Sequence, residues 1–342
     1  IMRTLCGLLG MLALFSQFGT TCVASDTSEP GDPGALVRAL WCVQSFGTPE
    51  ALDPRNDERI KGTLATALQK DGSLGSASAA GLIDSKTFAK LAGDDGRLDA
   101  REMIVALREV LPPSRTRLNP KVAAHLDTLT TTFDMIDARR FEPSERLLEW
   151  MVANHRPGRS LDVTVICTGN SRRSFLGATM GNLAAAYYGL PEIRFHCGGT
   201  APSAFNVRTV RALREIGIAV EPTGREAPRG EPSTANPIYR IHWENAAEAA
   251  STTSGLLEFS KRYDDAVNPQ KGYAALLVCG EADASCPVVK GASARIAMPY
   301  LDPKIYDGGC YEALKYAERR DDIGRVLLSV LMRVRRRLDA GR

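Results

Sequence analysis

The C-terminal half of the chain alternates short apolar, β-branched runs with stretches in which apolar residues recur at helical spacing. The apolar runs lie at 163–166, 193–195, 218–220, 274–278 and 295–298, and helical stretches lie near 175–189, 203–216, 311–318 and 320–338. Apolar strands without polar alternation are typical of a parallel sheet that is covered on both faces. The pattern therefore predicts an α/β fold, with a parallel sheet of approximately four strands and helices on both faces.

A different pattern precedes this half. Apolar residues recur at helical spacing at Leu36, Leu40 and Val43, and again at Ile104, Leu107 and Val110. Pro112-Pro113 predicts the end of the second of these helices, and a further helix is predicted from Val122 to Ile136. We therefore expect a mostly α-helical region over 36–157, followed by the α/β domain over 158–342.

The first 25 residues resemble a secretory signal peptide. Arg3 precedes an apolar run at 5–15, and small residues follow as far as Ser25. The run is shorter than the roughly 20 residues that a helix needs to cross a membrane. We expect export to the periplasm or the medium, with 26–35 as a disordered leader. A lipid anchor on Cys22 is the alternative.

The overall charge gives no reason to expect a nucleic-acid partner. The chain has 43 basic and 40 acidic residues, for a net charge of +3. Affinity for an anion must therefore come from a local site. The eight cysteines in 342 residues lack the spacing of a disulfide-stapled miniature domain.

A segment of the helical region resembles the second half of an EF-hand calcium loop, with Gly96 as the turn glycine. The ligand positions that carry carboxylates are then Asp95, Asp99 and Glu102. The first two ligand positions fall on Leu91 and Gly93, which supply no carboxylate. Calcium binds about six to eight oxygens, so we expect a helix–turn–helix without metal near 88–105, and no cofactor. Calcium at the three carboxylates is the less favoured alternative.

One polar segment joins an apolar strand to a helix and contains Cys167-Thr-Gly-Asn-Ser-Arg-Arg173-Ser174. A loop in this position turns backbone N–H groups inward, and the helix N-terminus adds its positive end, so that together they form a nest for an oxyanion. Arg173 can hold two oxygens through its planar fork. Cys167 then lies in an electropositive cradle that favours its thiolate, ready for in-line attack. The predicted substrate-binding residues of the loop are Thr168, Gly169, Asn170, Ser171, Arg172 and Ser174.

This segment resembles the active-site loop of the low-molecular-weight protein tyrosine phosphatases and of the related thioredoxin-coupled arsenate reductases. The resemblance covers about 160–340, and Gly198-Gly-Thr200 resembles the small-residue turn after the second strand. It departs at Arg172, where reductases and many phosphatases carry a second cysteine. The loop and the segment at 259–268 are most similar to a bacterial branch that is called protein tyrosine phosphatase. The resemblance implies hydrolysis of phosphomonoesters through a phosphocysteine.

Cleavage of a phosphoryl ester needs a proton donor for the leaving oxygen. The family supplies it from an Asp-Pro after the last strand, which implies that Asp302, followed by Pro303, is the acid. Tyr300 is predicted to line the substrate cleft. From the residues alone, a turn with no catalytic role is an equal alternative for this Asp-Pro.

Cys279 and Cys286 indicate a second reaction class. The resemblance to the reductases implies that Cys167 attacks arsenate, Cys279 displaces the reduced product and Cys286 resolves, with a thiol donor protein as partner. A structural disulfide and a metal pair are alternatives for these two cysteines. Because export separates the chain from a cytosolic thiol supply, we favour the phosphatase, acting on a phosphorylated protein or a small phosphomonoester. An exported oxyanion-binding module without catalysis is the third alternative.

Overall fold

The computed structural model describes residues 74–75, 89, 92, 94–98, 112–130, 132–230, 232–245, 255–280, 282 and 288–340. The predicted signal peptide at 1–25 and the leader at 26–35 lie outside these ranges, as does most of 36–111. Within them, no helix combines the length and apolar character that crossing a membrane requires.

Within the described residues, seven strands follow one another from residue 161 onward: β1 (Leu161–Cys167), β2 (Ile193–Gly199), β3 (Ala219–Glu226), β4 (Pro237–His242), β5 (Leu256–Glu258), β6 (Tyr273–Leu277) and β7 (Ala292–Ala297). The same described residues contain five α-helices: α1 (Pro120–Thr130), α2 (Phe141–Asn154), α3 (Arg173–Tyr187), α4 (Val207–Glu215) and α5 (Glu312–Ala340). Short 3-10 turns lie at Pro113–Arg117, Phe133–Met135, Ala138–Arg140 and Pro303–Tyr306.

The predicted parallel sheet is confirmed. It has four strands in the order β2-β1-β6-β7, and all neighbouring pairs are parallel. β6 is buried along its whole length, and β1 is buried at every residue except Asp162. Central strands of this kind carry apolar residues on both faces, which is why their sequences read as continuous apolar runs.

The apolar run at 218–220 does not join the parallel sheet, unlike the other four apolar runs. It begins β3, which belongs to a separate antiparallel sheet of order β3-β4-β5. β3 is an edge strand of that sheet, and its pairing with β4 shifts register between Pro222 and Glu226. Proline cannot donate a ladder hydrogen bond, so it is confined to such edges and bulges. The helices predicted at 311–318 and 320–338 form one continuous helix, α5.

The helices that precede the sheet share its core. Leu126 of α1 and Leu147 and Met151 of α2 are fully buried, in the same apolar cluster as β1 and α3. α3 lies so close to β2 that a Cβ on Gly181 would come within 2.4 Å of the Phe195 ring. This packing holds the first turn of α3 rigidly over the end of β1.

The topology marks one end of the sheet as the place for a ligand. β1 lies between β2 and β6, so the chain leaves β1 toward one neighbour and returns later on the other side. In open α/β sheets, ligands bind beyond the carboxyl ends of the strands at such a point. Cys167 is the last residue of β1, and Cys279 follows the end of β6 by two positions.

Candidate active site

The loop at the end of β1 brings a thiol, a hydroxyl and an amide together. The Cys167 sulfur lies 3.0 Å from the Ser174 hydroxyl, which in turn accepts a 2.8 Å hydrogen bond from the Asn170 side chain. Cys167 is 3% exposed, and the other two side chains are fully buried. A hydroxyl in this position can donate to a thiolate.

The backbone of the loop is turned so that its carbonyl groups point outward. The carbonyls of Cys167, Thr168, Gly169 and Ser171 accept hydrogen bonds from the backbone N–H groups of Thr200, Ala201, Ser203 and Asn206, at 2.9 to 3.1 Å. In a planar trans peptide the N–H points opposite to the C=O. The N–H groups of these four peptides therefore point to the other side of the loop, where several together can surround an anion.

Asn170 has an unusual backbone conformation. Its φ is 42°, the positive value that asparagine tolerates better than most residues other than glycine. Its side chain is used at both ends, because Oδ1 accepts a 2.9 Å hydrogen bond from the backbone N–H of Lys261 while Nδ2 donates to Ser174. The loop is thereby joined to a segment 91 residues further along the chain.

A buried charge pair lies beneath this contact. The Lys261 ammonium pairs with the Glu258 carboxylate, and both side chains are almost completely buried. Burial by itself would lower the pKa of Lys261, but Cys197 and the Glu258 carboxylate together outweigh it, and the net shift is upward. Burial also raises the pKa of the Cys197 thiol, which touches both partners. Sequence reasoning did not find these supports, although it singled out 259–268, which contains Lys261.

Arg173 connects the loop to the predicted acid. Its Nη2 donates to Asp302 at 2.8 Å, and its Nη1 donates to the Tyr300 carbonyl at 3.0 Å. Its Nε is buried and has no hydrogen-bond partner in the described part of the chain. A guanidinium with one edge held and one donor unused can bind an oxyanion through Nε and the neighbouring Nη2.

Arg172 is held by a network from α5. Its Nε donates to the Tyr316 hydroxyl at 2.9 Å, and that hydroxyl donates to Asp307 at 2.7 Å. Burial and the bond to Asp307 raise the pKa of Tyr316 to about 12. Arg172 also lies 3.8 Å from Asp302. A second cation therefore stands beside Arg173 in the loop.

Asp302 and Tyr300, which were predicted as the acid and as a residue of the substrate cleft, differ in their exposure to solvent. Asp302 caps the 3-10 turn that follows it by accepting a 3.0 Å bond from the Lys304 N–H, and its side chain is 27% exposed. Tyr300 is buried, and its hydroxyl contacts the Met298 sulfur. Tyr300 thus contributes its carbonyl to Arg173, and its hydroxyl does not face solvent.

Cys279 touches the loop from the neighbouring strand. Its sulfur lies 3.5 Å from the Thr168 hydroxyl and accepts from the Ala282 N–H at 3.3 Å. Cys279 is fully buried and free, as are Cys167 and Cys197, and Cys310 is free and exposed. Cys286 lies outside the described residues.

The EF-hand-like segment is described only in part. Asp94–Gly96 forms a turn, Gly96 has a φ of 67°, and Asp95 accepts a bond from the Arg97 N–H at 2.8 Å. Leu98 pairs with Leu74 in a short antiparallel ladder. An Asp-Gly-x-Leu repeat at 71–74 and 95–98, visible in the sequence, signals this pairing. Asp99 and Glu102 lie outside the described residues, and no cluster of three or more metal-binding side chains is found in the part that is described.

A scan of protein-family models and a search of curated proteins both found no match for this chain. A proposal for its function therefore depends on the geometry of this site and on the resemblance of the loop at 167–174 to a known active-site loop.

Proposed function

We propose that the chain is a cysteine-dependent phosphatase of the low-molecular-weight protein tyrosine phosphatase type. The observation that carries this function is the hydrogen bond from Arg173 to Asp302, which joins residues 129 positions apart. Asp302, the proposed acid, therefore lies beside Arg173 of the loop that begins at Cys167. General acid catalysis requires such proximity, because the acid must reach the leaving oxygen of an ester bound over the sulfur.

The reaction has two steps in this scheme. The Cys167 thiolate attacks phosphorus in line, the bond to the ester oxygen breaks, and Asp302 gives its proton to the departing alcohol. Water then attacks the phosphocysteine and gives a proton to Asp302. The sulfur–phosphorus bond breaks, phosphate is released and the Cys167 thiolate is regenerated. The inward N–H groups and Arg173 stabilise the charge on the phosphoryl oxygens throughout. A bound phosphoryl group competes with Asp302 for Arg173, and this frees the carboxyl group to turn toward the leaving oxygen.

The test is hydrolysis of para-nitrophenyl phosphate by the purified full chain. We expect Cys167→Ser to abolish turnover, because a serine hydroxyl at this position is a far weaker nucleophile than a thiolate. Cys310→Ser is the matched control, since Cys310 is an exposed thiol, and it should retain wild-type turnover. Folded wild-type protein without activity, or an active Cys167→Ser variant, would refute the phosphatase.

A second function, arsenate reduction, is favoured by the contact between Cys279 and Thr168. In this scheme the Cys167 thiolate attacks arsenic, an arsenic–oxygen bond breaks, and the oxygen leaves as water after protonation. Cys279 then attacks the Cys167 sulfur. Arsenite leaves with the electron pair, and a Cys167–Cys279 disulfide remains. Cys286 then exchanges with it, and a dithiol protein reduces the resulting Cys279–Cys286 disulfide.

The reductase scheme predicts that arsenate reduction with a dithiol donor depends on the cysteine pair. The double variant Cys279→Ala, Cys286→Ala should lose reduction and keep any phosphatase activity. Cys310→Ser should change neither activity. Wild-type reduction by the double variant would exclude the relay.

A further inference from the structure

A cleft of about 540 Å³ lies beside the segment that carries Asp302. We call it the arginine cleft; it is lined by Met135, Ile136, Asp137, Arg139, Arg140, Pro299, Tyr300, Leu301, Arg319, Asp322, Arg325 and Val326. No residue of the loop at 167–174 lines it. Its volume is in the range of about 300–1,000 Å³ that small-molecule sites occupy.

The arginine cleft contains more positive than negative charge. Asp137 is bound by Arg139, and Asp322 is shared by Arg319 at 2.9 Å and Arg325 at 3.2 Å. Both carboxylates of the lining are therefore already paired. One guanidinium remains without a counter-ion.

That guanidinium belongs to Arg140. It is partly buried, and no carboxylate in the described part of the chain lies within ion-pair distance of it. Its contact is the face of the Tyr300 ring, 4.1 Å from the ring centre. Burial lowers the pKa of Arg140, so its surroundings do not fully compensate its charge. An anion in the arginine cleft would do so.

A second group in the lining lacks a partner independently. The Nε of Arg319 is buried and has no hydrogen-bond partner among the residues described, although Nη1 of the same side chain binds Asp322. Arg319 is 11% exposed and also lies over Tyr300. Buried donors in proteins are almost always paired, so an unpaired one in a cleft wall is available to an acceptor on a bound molecule.

The remaining walls define the rest of the ligand. Met135, Ile136, Pro299, Leu301 and Val326 give the arginine cleft an apolar side, and the side chains of Met135 and Leu301 are 63% and 69% exposed. Small-molecule sites combine such apolar walls with a few polar groups that fix orientation. We propose that the arginine cleft is a second binding site, which takes a small molecule with a phosphate group and an apolar body.

The site adjoins the proposed catalytic loop through one residue. Tyr300 lies under Arg140 in the arginine cleft, and its carbonyl accepts the bond from Arg173. A ligand in the arginine cleft therefore contacts the segment that positions Arg173. Binding there is a separate property from catalysis and does not depend on the phosphatase function.

The test is calorimetric titration of the full chain with phenylphosphonate, which has a phosphate-like group and an apolar ring and cannot be hydrolysed as an ester. We expect Arg140→Met and Arg319→Met each to weaken binding at one site at least roughly tenfold. Arg173→Met should keep binding in the arginine cleft, because Arg173 does not line it. Arg229→Met is the matched control, since Arg229 is 50% exposed, is paired with Glu226 and does not line the arginine cleft, and it should bind like the wild type.

A conservative variant guards against loss of folding. Arg140→Lys keeps the positive charge and the aliphatic stem but loses the planar fork, so we expect a native melting curve with weakened binding. Wild-type affinity in natively folded Arg140→Met and Arg319→Met would overturn the second site. Complete loss of binding in natively folded Arg173→Met would also overturn it, because all binding would then belong to the loop.

Discussion

At the scale of single residues, the geometry of the loop depends most on Asn170. Its backbone takes a conformation that few side chains accept, with a φ of 42°, and its side chain bonds to both Ser174 and Lys261. Through Ser174 it fixes the hydroxyl that faces the Cys167 sulfur. Few residues can both adopt this backbone conformation and form side-chain hydrogen bonds to two partners.

Two substitutions of Asn170 separate these contributions. Asn170→Ala leaves the buried Lys261 N–H without its acceptor, which costs about 1–3 kcal/mol of folding free energy. Alanine also tolerates a positive φ less well than asparagine, which costs roughly 1 kcal/mol more. Asn170→Gly loses the same hydrogen bonds and avoids the second cost. We expect both variants to unfold at lower urea than the wild type, and alanine to lose more than glycine. Equal midpoints for all three proteins would contradict this account.

At the scale of elements, the loop is supported by the end of β2. A Cβ on Gly199 would lie 2.5 Å from the Thr168 carbonyl oxygen and 2.8 Å from the Asn170 nitrogen, and both are backbone atoms. Gly198 is enclosed in the same way by the backbone of Tyr263, at 2.4 Å. The two glycines let the segment at 261–263, β2 and the loop approach each other closely.

Gly199→Ala should therefore displace the loop. Overpacking of this kind costs about 1–3 kcal/mol, and here it falls on backbone that cannot rotate away as a side chain can. We expect a lower free energy of unfolding in urea, and slower hydrolysis of para-nitrophenyl phosphate if the proposed function holds. Gly280→Ala is the control, because a Cβ there meets no atom within 4 Å, and its unfolding midpoint should match the wild type.

At the scale of the whole molecule, α1 and α2, which precede residue 158, belong to the core of the α/β unit. Leu126, Leu147 and Met151 are fully buried in the apolar cluster that contains the sheet. Polar contacts add to this packing, including the 2.8 Å hydrogen bond between His125 and Asp321 and the 2.6 Å ion pair between Arg337 and Glu149. α1 and α2 thus cover an apolar surface of α5 and α3 that would otherwise face water.

This packing predicts the behaviour of two fragments. A chain of 158–342 lacks α1 and α2, and each large apolar side chain that loses its cover gives up about 1.5–3 kcal/mol of burial energy. We expect this fragment to aggregate or to unfold without a cooperative transition. A chain of 112–342 keeps both helices and should unfold cooperatively. Equal stability of the two fragments, measured by circular dichroism in urea, would show that α1 and α2 are dispensable for the core.

Local features of the chain could be predicted from sequence. The apolar runs of β1 and β6 predicted the buried parallel strands, because a strand covered on both faces needs apolar residues at every position. The strand, polar loop and helix around Cys167 could also be predicted, because the residues that determine them lie within a few positions of one another in the sequence. The run at 218–220 lies in the antiparallel sheet, and its sequence could not indicate this, because an apolar strand has the same local pattern in either kind of sheet.

What only the tertiary structure decided are the contacts between segments far apart in the chain. The hydrogen bond from the Lys261 N–H to the Asn170 side chain spans 91 residues. The arginine cleft is similar, since its walls come from 135–140, 299–301 and 319–326. Sequence by itself determined the strand and helix pattern and the order of groups in the loop, because these follow from local backbone and burial preferences. Which distant side chains meet was decided by packing of the whole chain, because a contact depends on the relative positions of elements that local preferences do not specify.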